Sequence, residues 1–253
     1  MLLEINGLTK HFGGLTAVMG LDIGVAKGEM VGLIGPNGAG KTTIFNLITG
    51  FLRPTIGNIV FEGSDITQKK PHVVARLGIA RTFQLNPLFA DFTVLQNVIA
   101  SFYLHPRSSL WATYFNLPSY RRNEADIMKQ ALEILKLVEL HNVKDDLAKN
   151  LPHGYQKRLG IARALATRPK LLLLDEPLGG MNPDERAFAI NVIKKTRQEG
   201  ITILVVEHNM EMMDIVDRVT VVNFGQKIAE GVFEEVRENK QVAEAYFGVE
   251  HPE

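Results

Sequence analysis

The 253-residue chain has no cysteine. That excludes disulfides, thiolate nucleophiles and cysteine-ligated zinc, and it suits a reducing compartment. Charge of either sign in excess is also missing: Lys and Arg total 28, as do Asp and Glu. The molecule as a whole therefore has no electrostatic drive toward nucleic acid or anionic lipid. No apolar run approaches bilayer-spanning length, and Met1-Leu2-Leu3-Glu4-Ile5-Asn6 lacks the basic-then-apolar order of a secretory signal. The expectation is a cytoplasmic protein; if it works at a membrane, another chain supplies the spanning helices. Internal repeats and low-complexity tracts are absent as well. What is present is an ordinary globular composition, 45% hydrophobic, enough for one large core or two small ones.

The stretch with the most chemistry is Gly35-Pro36-Asn37-Gly38-Ala39-Gly40-Lys41-Thr42, which fits G-x-x-x-x-G-K-[ST] at every required position. Met30–Ile34 before it is an apolar run of strand length. Thr43-Ile44-Phe45-Asn46-Leu47-Ile48-Thr49 after it reads as a helix stopped by Gly50. Glycines let successive backbone N–H groups point inward, the helix N-terminus adds partial positive charge, and Lys41 adds a full one. The Thr42 hydroxyl is then available to a magnesium ion. A glycine-rich strand-to-helix turn with an incidental lysine is the alternative, and the flanking strand and helix weigh against it.

Residues 2 to 6, Leu21–Val25 and Gly57–Gly63 read as strands of a small sheet beside this core. From about Pro71 the pattern turns helical, and Glu124 to Leu140 carries apolar residues at Ile127, Ala131, Ile134, Leu135 and Val138. Continuous apolar runs return at Leu171–Leu174 and Ile201–Val206, suited to a parallel sheet covered on both faces, with a crossover helix from about Pro183 to Glu199. Between 102 and 122, Phe102, Tyr103, Trp111, Tyr114, Phe115 and Tyr120 stand among Arg107, Arg121 and Arg122. Aromatics among basic residues either stack on single-stranded nucleic acid or belong to a helical insertion and pack on its own subdomain or a partner; the neutral overall charge favours packing.

Asp175 and Glu176 end the four-leucine strand, and Pro177 stops further pairing. In open α/β sheets ligands bind beyond the carboxyl ends of strands, so both carboxylates belong beside the phosphate loop. Neighbouring side chains at a strand end diverge. That supports one metal-side and one water-side carboxylate: Asp175 can hold magnesium directly or through its water and Glu176 can orient or polarise the attacking water, the alternative being a solvated strand terminus. His208 follows the next apolar strand and is placed either to bond the γ-phosphate or to cap a helix. Gln84, in Arg81-Thr82-Phe83-Gln84, gains weight only from the assembled set.

That set resembles the ATP-binding cassette (ABC) family, in the expected order and over nearly the whole chain. The resemblance implies an α/β fold. It comprises a P-loop NTPase core with a parallel sheet, an N-terminal antiparallel β subdomain, a helical subdomain inserted at about 86–160 and a tail at about 232–253. It makes residues 1–253 a single ATPase domain. It assigns ATP contacts to Gly35 through Thr43 and to Gln84, metal contacts to Thr42, Gln84 and Asp175, and catalysis to Glu176 and His208. Phe12 matches an aromatic that stacks on adenine, or is a core phenylalanine near the first strand. Leu151-Pro152-His153-Gly154-Tyr155 occupies the place of the family signature, normally Leu-Ser-Gly-Gly-Gln. Two chains of the family sandwich two ATP molecules, each between one phosphate loop and the facing signature. Gly179-Gly180-Met181-Asn182 resembles the loop that crosses that interface, with asparagine where many members have aspartate.

Pro152 stands where a serine hydroxyl would bond the γ-phosphate, a loss on the order of 1.5–3 kcal/mol. Proline is tolerated at a helix start, and Gly154 still permits backbone approach, so a weakened but functional contact is expected. Thr49–Pro54, Gly78–Gln84 and Ala245-Tyr246-Phe247-Gly248 look like the ATPase subunits of high-affinity branched-chain amino-acid importers; urea and lipopolysaccharide transporters share much of the pattern. The implied partners are membrane-spanning permease subunits, a second ATPase chain, identical or related, and a substrate-binding protein, with this chain on the cytoplasmic face. Gln84, Leu85, Leu88, Phe89 and Phe92 either grip the permease or fill the subdomain core. A non-transport cassette ATPase acting on DNA or ribosomes would need coiled-coil arms, a second cassette or basic patches, none of which is evident. A small-molecule kinase would leave Gln84, the signature-like segment and His208 unexplained.

Overall fold

The computed structural model describes residues 1–82, 88–104, 114 and 117–247. The chain divides into two compact units. One comprises Met1–Arg81, Lys170–Leu178 and the chain from Ile193 onward. The other comprises Thr82–Pro169 and Gly179–Val192.

The first unit holds two sheets. A long hairpin of β1 (Leu3–Phe12) and β2 (Leu15–Val25) pairs Leu3 with Val25; on its other edge β1 pairs antiparallel with β4 (Ile56–Phe61), which continues to the short β5 (Ser64–Asp65). The second sheet runs in the order β10-β9-β3-β8-β7-β6. Its parallel centre is β9 (Arg218–Asn223), β3 (Met30–Ile34), β8 (Thr202–Val206), β7 (Leu171–Asp175) and β6 (Ile79–Arg81), with β10 (Gln226–Gly231) antiparallel at one edge. Every residue of β3, β7 and β8 is buried, as continuous apolar runs in a two-sided sheet must be. One apolar core joins the sheets to the helix α1 (Lys41–Ile48): Leu3, Leu21, Leu33, Phe45, Leu173 and Leu204 all belong to it.

Two sequence expectations change here. The helical pattern from Pro71 is interrupted: Pro71–Leu77 is ended by Gly78 in the left-handed conformation, and Ile79–Arg81 becomes a sheet strand before the helices resume. The apolar stretch Val219–Val222 forms a strand of a hairpin that the sequence reading did not place.

In the second unit, helices Val94–Phe102, Pro118–Leu137 and His153–Ala166 pack on one another. The first begins in a capping box, Thr93 with Gln96. The second starts at Pro118, a residue suited to the first helical turn, and buries Ile127, Ala131 and Leu135 as their spacing predicts. It ends at Leu137, and Glu139 then turns the chain at φ 51°, so Val138 is buried beyond the helix. Phe102 is buried, and the Tyr103 hydroxyl bonds Glu124 at 2.9 Å. Burial, and then the Glu124 carboxylate, push the Tyr103 phenol up to about 12. Arg107, Trp111 and Phe115 lie outside the described residues.

Candidate active site

The phosphate loop leaves the buried end of β3 and enters α1 through Gly40, at φ 102°. Two backbone approaches fix its glycines. A Cβ on Gly35 would stand 2.0 Å from the Val222 carbonyl oxygen, and one on Gly40 would stand 2.5 Å from that of Ala17. Any side chain at Gly35 would therefore break the junction of loop and sheet. Ala39 N–H bonds Pro36 O at 3.1 Å, and Gly225 N–H bonds Ala39 O at 3.0 Å, so the β9–β10 turn braces the loop.

Lys41 is 7% exposed and donates to Gly35 O at 2.6 Å and Pro36 O at 2.9 Å. Its ammonium is folded back onto its own loop. Burial pulls its pKa below the usual lysine value, and the Glu176 and Asp175 carboxylates push it partly back. Around the loop opens a cleft of about 390 Å³, lined by Asn37 through Thr43 together with Glu176. Phe12, Leu15 and Phe224 line its apolar part. Phe12 is 44% exposed, which rules out the core reading, and Lys10 Nζ lies 5.0 Å from its ring centre.

The strand-end carboxylates diverge as expected and meet different partners. Asp175 is buried and accepts from Arg81 Nη2 at 2.6 Å; the side chains are 7% and 5% exposed. Arg81 also donates to Asn46 Oδ1 at 2.6 Å and lies over the Phe45 ring at 5.3 Å. The guanidinium thus ties the end of β7 to α1. Glu176 lies just past the strand at φ 46°, a strained value for a non-glycine residue, its N–H held by Val206 O at 2.9 Å. Its Oε1 is 3.8 Å from His208 Nε2, with both side chains about one-third exposed. That is too long for a direct hydrogen bond.

Three residues here escaped the sequence reading as site residues. Arg81 was read only as part of the run leading to Gln84. Glu207, 5% exposed, accepts from Leu178 N at 2.8 Å, His208 N at 2.7 Å and Asn209 N at 3.2 Å. It stands one residue past a buried strand, as Glu176 does after its own. Phe224 sits at the β9–β10 turn at φ 45° and 84% exposed; the signal was an Asn-Phe-Gly turn after an apolar run. Gln84 lies outside the described residues.

In the second unit Pro152 is the N-cap of the His153–Ala166 helix and offers no side-chain cap. Its carbonyl instead accepts from Tyr155 N and Gln156 N, both at 3.0 Å. A Cβ on Gly154 would fall 2.5 Å from Glu185 Oε1, so this glycine answers to a carboxylate of its own unit. Glu185 is itself held in a reciprocal cap: Asn182 N donates to Glu185 Oε2 at 3.0 Å and Glu185 N to Asn182 Oδ1 at 2.9 Å. Capping needs only a side-chain oxygen, which asparagine supplies as well as aspartate. Arg158 lies 4.1 Å from the Tyr155 ring centre and 4.5 Å from that of Phe188. Leu151 is buried, and its carbonyl accepts from Gln156 Nε2 at 2.9 Å.

A buried strand feeding a glycine loop and helix, with strand-end carboxylates alongside, defines a P-loop nucleotide-binding protein. The chain belongs to the ABC transporter family, whose description matches residues 18–179. A second description, branched-chain amino acid ATP-binding cassette transporter, matches residues 226–252. The chain is 42% identical over 249 residues to the high-affinity branched-chain amino acid transport ATP-binding protein BraF of Pseudomonas aeruginosa, covering 98% of each. It is 40% identical, at the same coverage, to the similarly named LivG of Escherichia coli. Among solved structures, an ATP-binding cassette of an ABC transporter in its ADP conformation superposes with TM-score 0.84 at 36% identity, over 98% of this chain and 99% of that one. The chain is therefore an ABC ATPase.

Proposed function

We propose that this chain hydrolyses ATP to power import of branched-chain amino acids through membrane-spanning partner subunits. The observation that carries the reading is the near-full-length likeness to BraF and LivG, with the tail at 226–252 matching the branched-chain amino acid type. Among the described residues no helix is long and apolar enough to cross a membrane, so in this reading the partner subunits supply the spanning helices. The exposed Phe89 and Phe92, ring centres 5.1 Å apart, are the apolar surface assigned to the permease, with Gln84 beside them in sequence. A substrate-binding protein outside the membrane would choose the cargo.

In this mechanism Phe12 stacks on the base and the loop N–H groups hold the phosphates. Lys41 exchanges its carbonyl partners for phosphate oxygens. Glu176 accepts the proton of the attacking water, and His208 bonds the γ-phosphate. The 3.8 Å gap between Glu176 and His208 leaves them as separate groups acting on the two sides of one reaction. The Thr42 hydroxyl and the Asp175 carboxylate are hard oxygen donors of the kind magnesium takes alongside phosphates and water, with Gln84 a further donor. Bound there, the ion would neutralise charge building on the phosphates. Leu151 to Tyr155 of a second chain completes the site.

Glu176→Gln keeps the side chain's shape and removes the base, so ATP and magnesium should hold this variant as a dimer in gel filtration. A variant that binds ATP and stays monomeric would refute the sandwich. Leucine uptake by cells lacking the gene, with and without the restored chain, tests the cargo: uptake indifferent to the chain rejects it.

A further inference from the structure

Away from the nucleotide cleft, a cavity of about 200 Å³ opens between the end of β3, the loop after β8 and the helices Phe233–Arg237 and Lys240–Phe247. Its walls are apolar. Ile34, Met213, Phe233, Val236 and Val242 all line it, and each is less than one-tenth exposed. An apolar cavity of about 150 Å³ already holds a benzene-sized ligand, so this one admits a branched aliphatic group with a small polar head.

The polar lining has both signs of charge. The Arg237 side chain, exposed at the last turn of its helix, has no hydrogen bond or ion pair among the described residues. Glu207 already accepts three backbone N–H bonds, and a carboxylate offers about four acceptor positions, so capacity for a further donor remains. A guanidinium matches a carboxylate, and a carboxylate matches an ammonium. We propose that the cavity binds a small aliphatic α-amino acid, with its side chain among the apolar walls, its carboxylate on Arg237 and its ammonium toward Glu207.

Such a ligand would reach the hydrolytic site by two routes. His208 lines this cavity and stands 3.8 Å from Glu176. Tyr246 lines it too; burial raises its phenol's pKa, and the backbone of Gly35, the first glycine of the phosphate loop, partly offsets the rise. Occupancy holds the histidine loop and the C-terminal helix together and slows ATP turnover. The effect on turnover rests on the hydrolytic reading given above; the binding itself does not.

The intact chain, without nucleotide, is titrated by calorimetry with L-leucine, its 2-oxo acid, leucinol and L-lysine. Leucine should bind, and leucinol, the oxo acid and lysine should each bind at least about tenfold more weakly, since each loses a charged contact or the apolar fit. Arg237→Gln should weaken leucine by a similar factor, and Val242→Trp should abolish binding by filling the space. If Val242→Trp fails to fold by circular dichroism, the exposed Arg237 decides the matter alone. Absence of leucine binding at ~10 mM would overturn the proposal, as would affinity unchanged by Arg237→Gln. An oxo acid that binds as tightly as leucine would overturn the amino-acid assignment. Leucine should also slow ATP turnover in the wild type and not in Arg237→Gln. Binding with unaltered turnover would refute the coupling, whereas a chain with no turnover even without leucine would tell against the hydrolytic reading instead.

Discussion

Replacing Arg81 by methionine keeps much of the side chain's bulk and removes its charge. In the folded protein this leaves Asp175, 7% exposed, without the guanidinium bonded to it at 2.6 Å. Truncating one partner of a buried pair costs about 3–5 kcal/mol, because the other charge stays desolvated. The lost bond to Asn46 adds less, since Asn46 is only partly buried and water can replace the donor. A net loss of about 4 kcal/mol corresponds to roughly 8–16 °C in melting temperature for a chain of this size. Melting followed by circular dichroism on Arg81→Met, Asp175→Asn and the double variant isolates the pair. The double variant should recover part of the loss, giving a coupling above about 2 kcal/mol. A coupling under about 1 kcal/mol, the range of solvent-exposed pairs, would show that this guanidinium does not hold the strand end.

Lys41 supplies a pH test. Its folded pKa is lowered by burial, and a bound triphosphate opposes that shift, so ATP binding takes up protons in the range between the lowered value and the ordinary 10.5. Uptake by this group should fall away below the lowered pKa, where the ammonium is already charged. Calorimetry in buffers of different ionisation enthalpy measures it, and uptake that persists in Lys41→Met would refute the assignment. Gly154→Ala drives a methyl against Glu185 Oε1 and should cost about 1–2 kcal/mol through the displaced cap. The same change in a Glu185→Ala background should cost clearly less, and equal costs would mean the carboxylate does not set the glycine. Pro152→Ser restores a donor to the signature helix, so ATP-driven dimerisation should strengthen by roughly tenfold, read by gel filtration or light scattering. Unchanged dimerisation and turnover would show that the serine hydroxyl is not what this segment lacks.

The elements that place the phosphate loop were legible because their signals are local. Met30–Ile34, Leu171–Asp175 and Thr202–Val206 are uninterrupted apolar runs, and the Gly35–Thr42 spacing is tied to a single geometry. Three-residue β6 has too few positions for any period to register, and it follows a helix ended by glycine, so it vanished into a helical reading. Arg81 and Glu207 were opaque for a different reason. What each does depends on partners 94 and 29 positions away, and nothing in a local pattern reports a contact across a sheet. At Gly154 the crowding by Glu185, a residue on another helix, was likewise invisible to a local pattern.

Glu207 joins, through one carboxylate, the backbone of the residue that follows its strand and the backbone of Leu178 on the neighbouring loop. Leu178 is also where the chain leaves the first unit, and Gly179 begins the return segment of the second. The backbones of His208 and Leu178 are therefore held to one carboxylate. The tether is two hydrogen bonds long and contains no rotatable bond outside a single buried side chain. Aspartate, shorter by one methylene, would leave one end of that tether unbonded, whereas glutamine keeps the length and loses acceptor capacity.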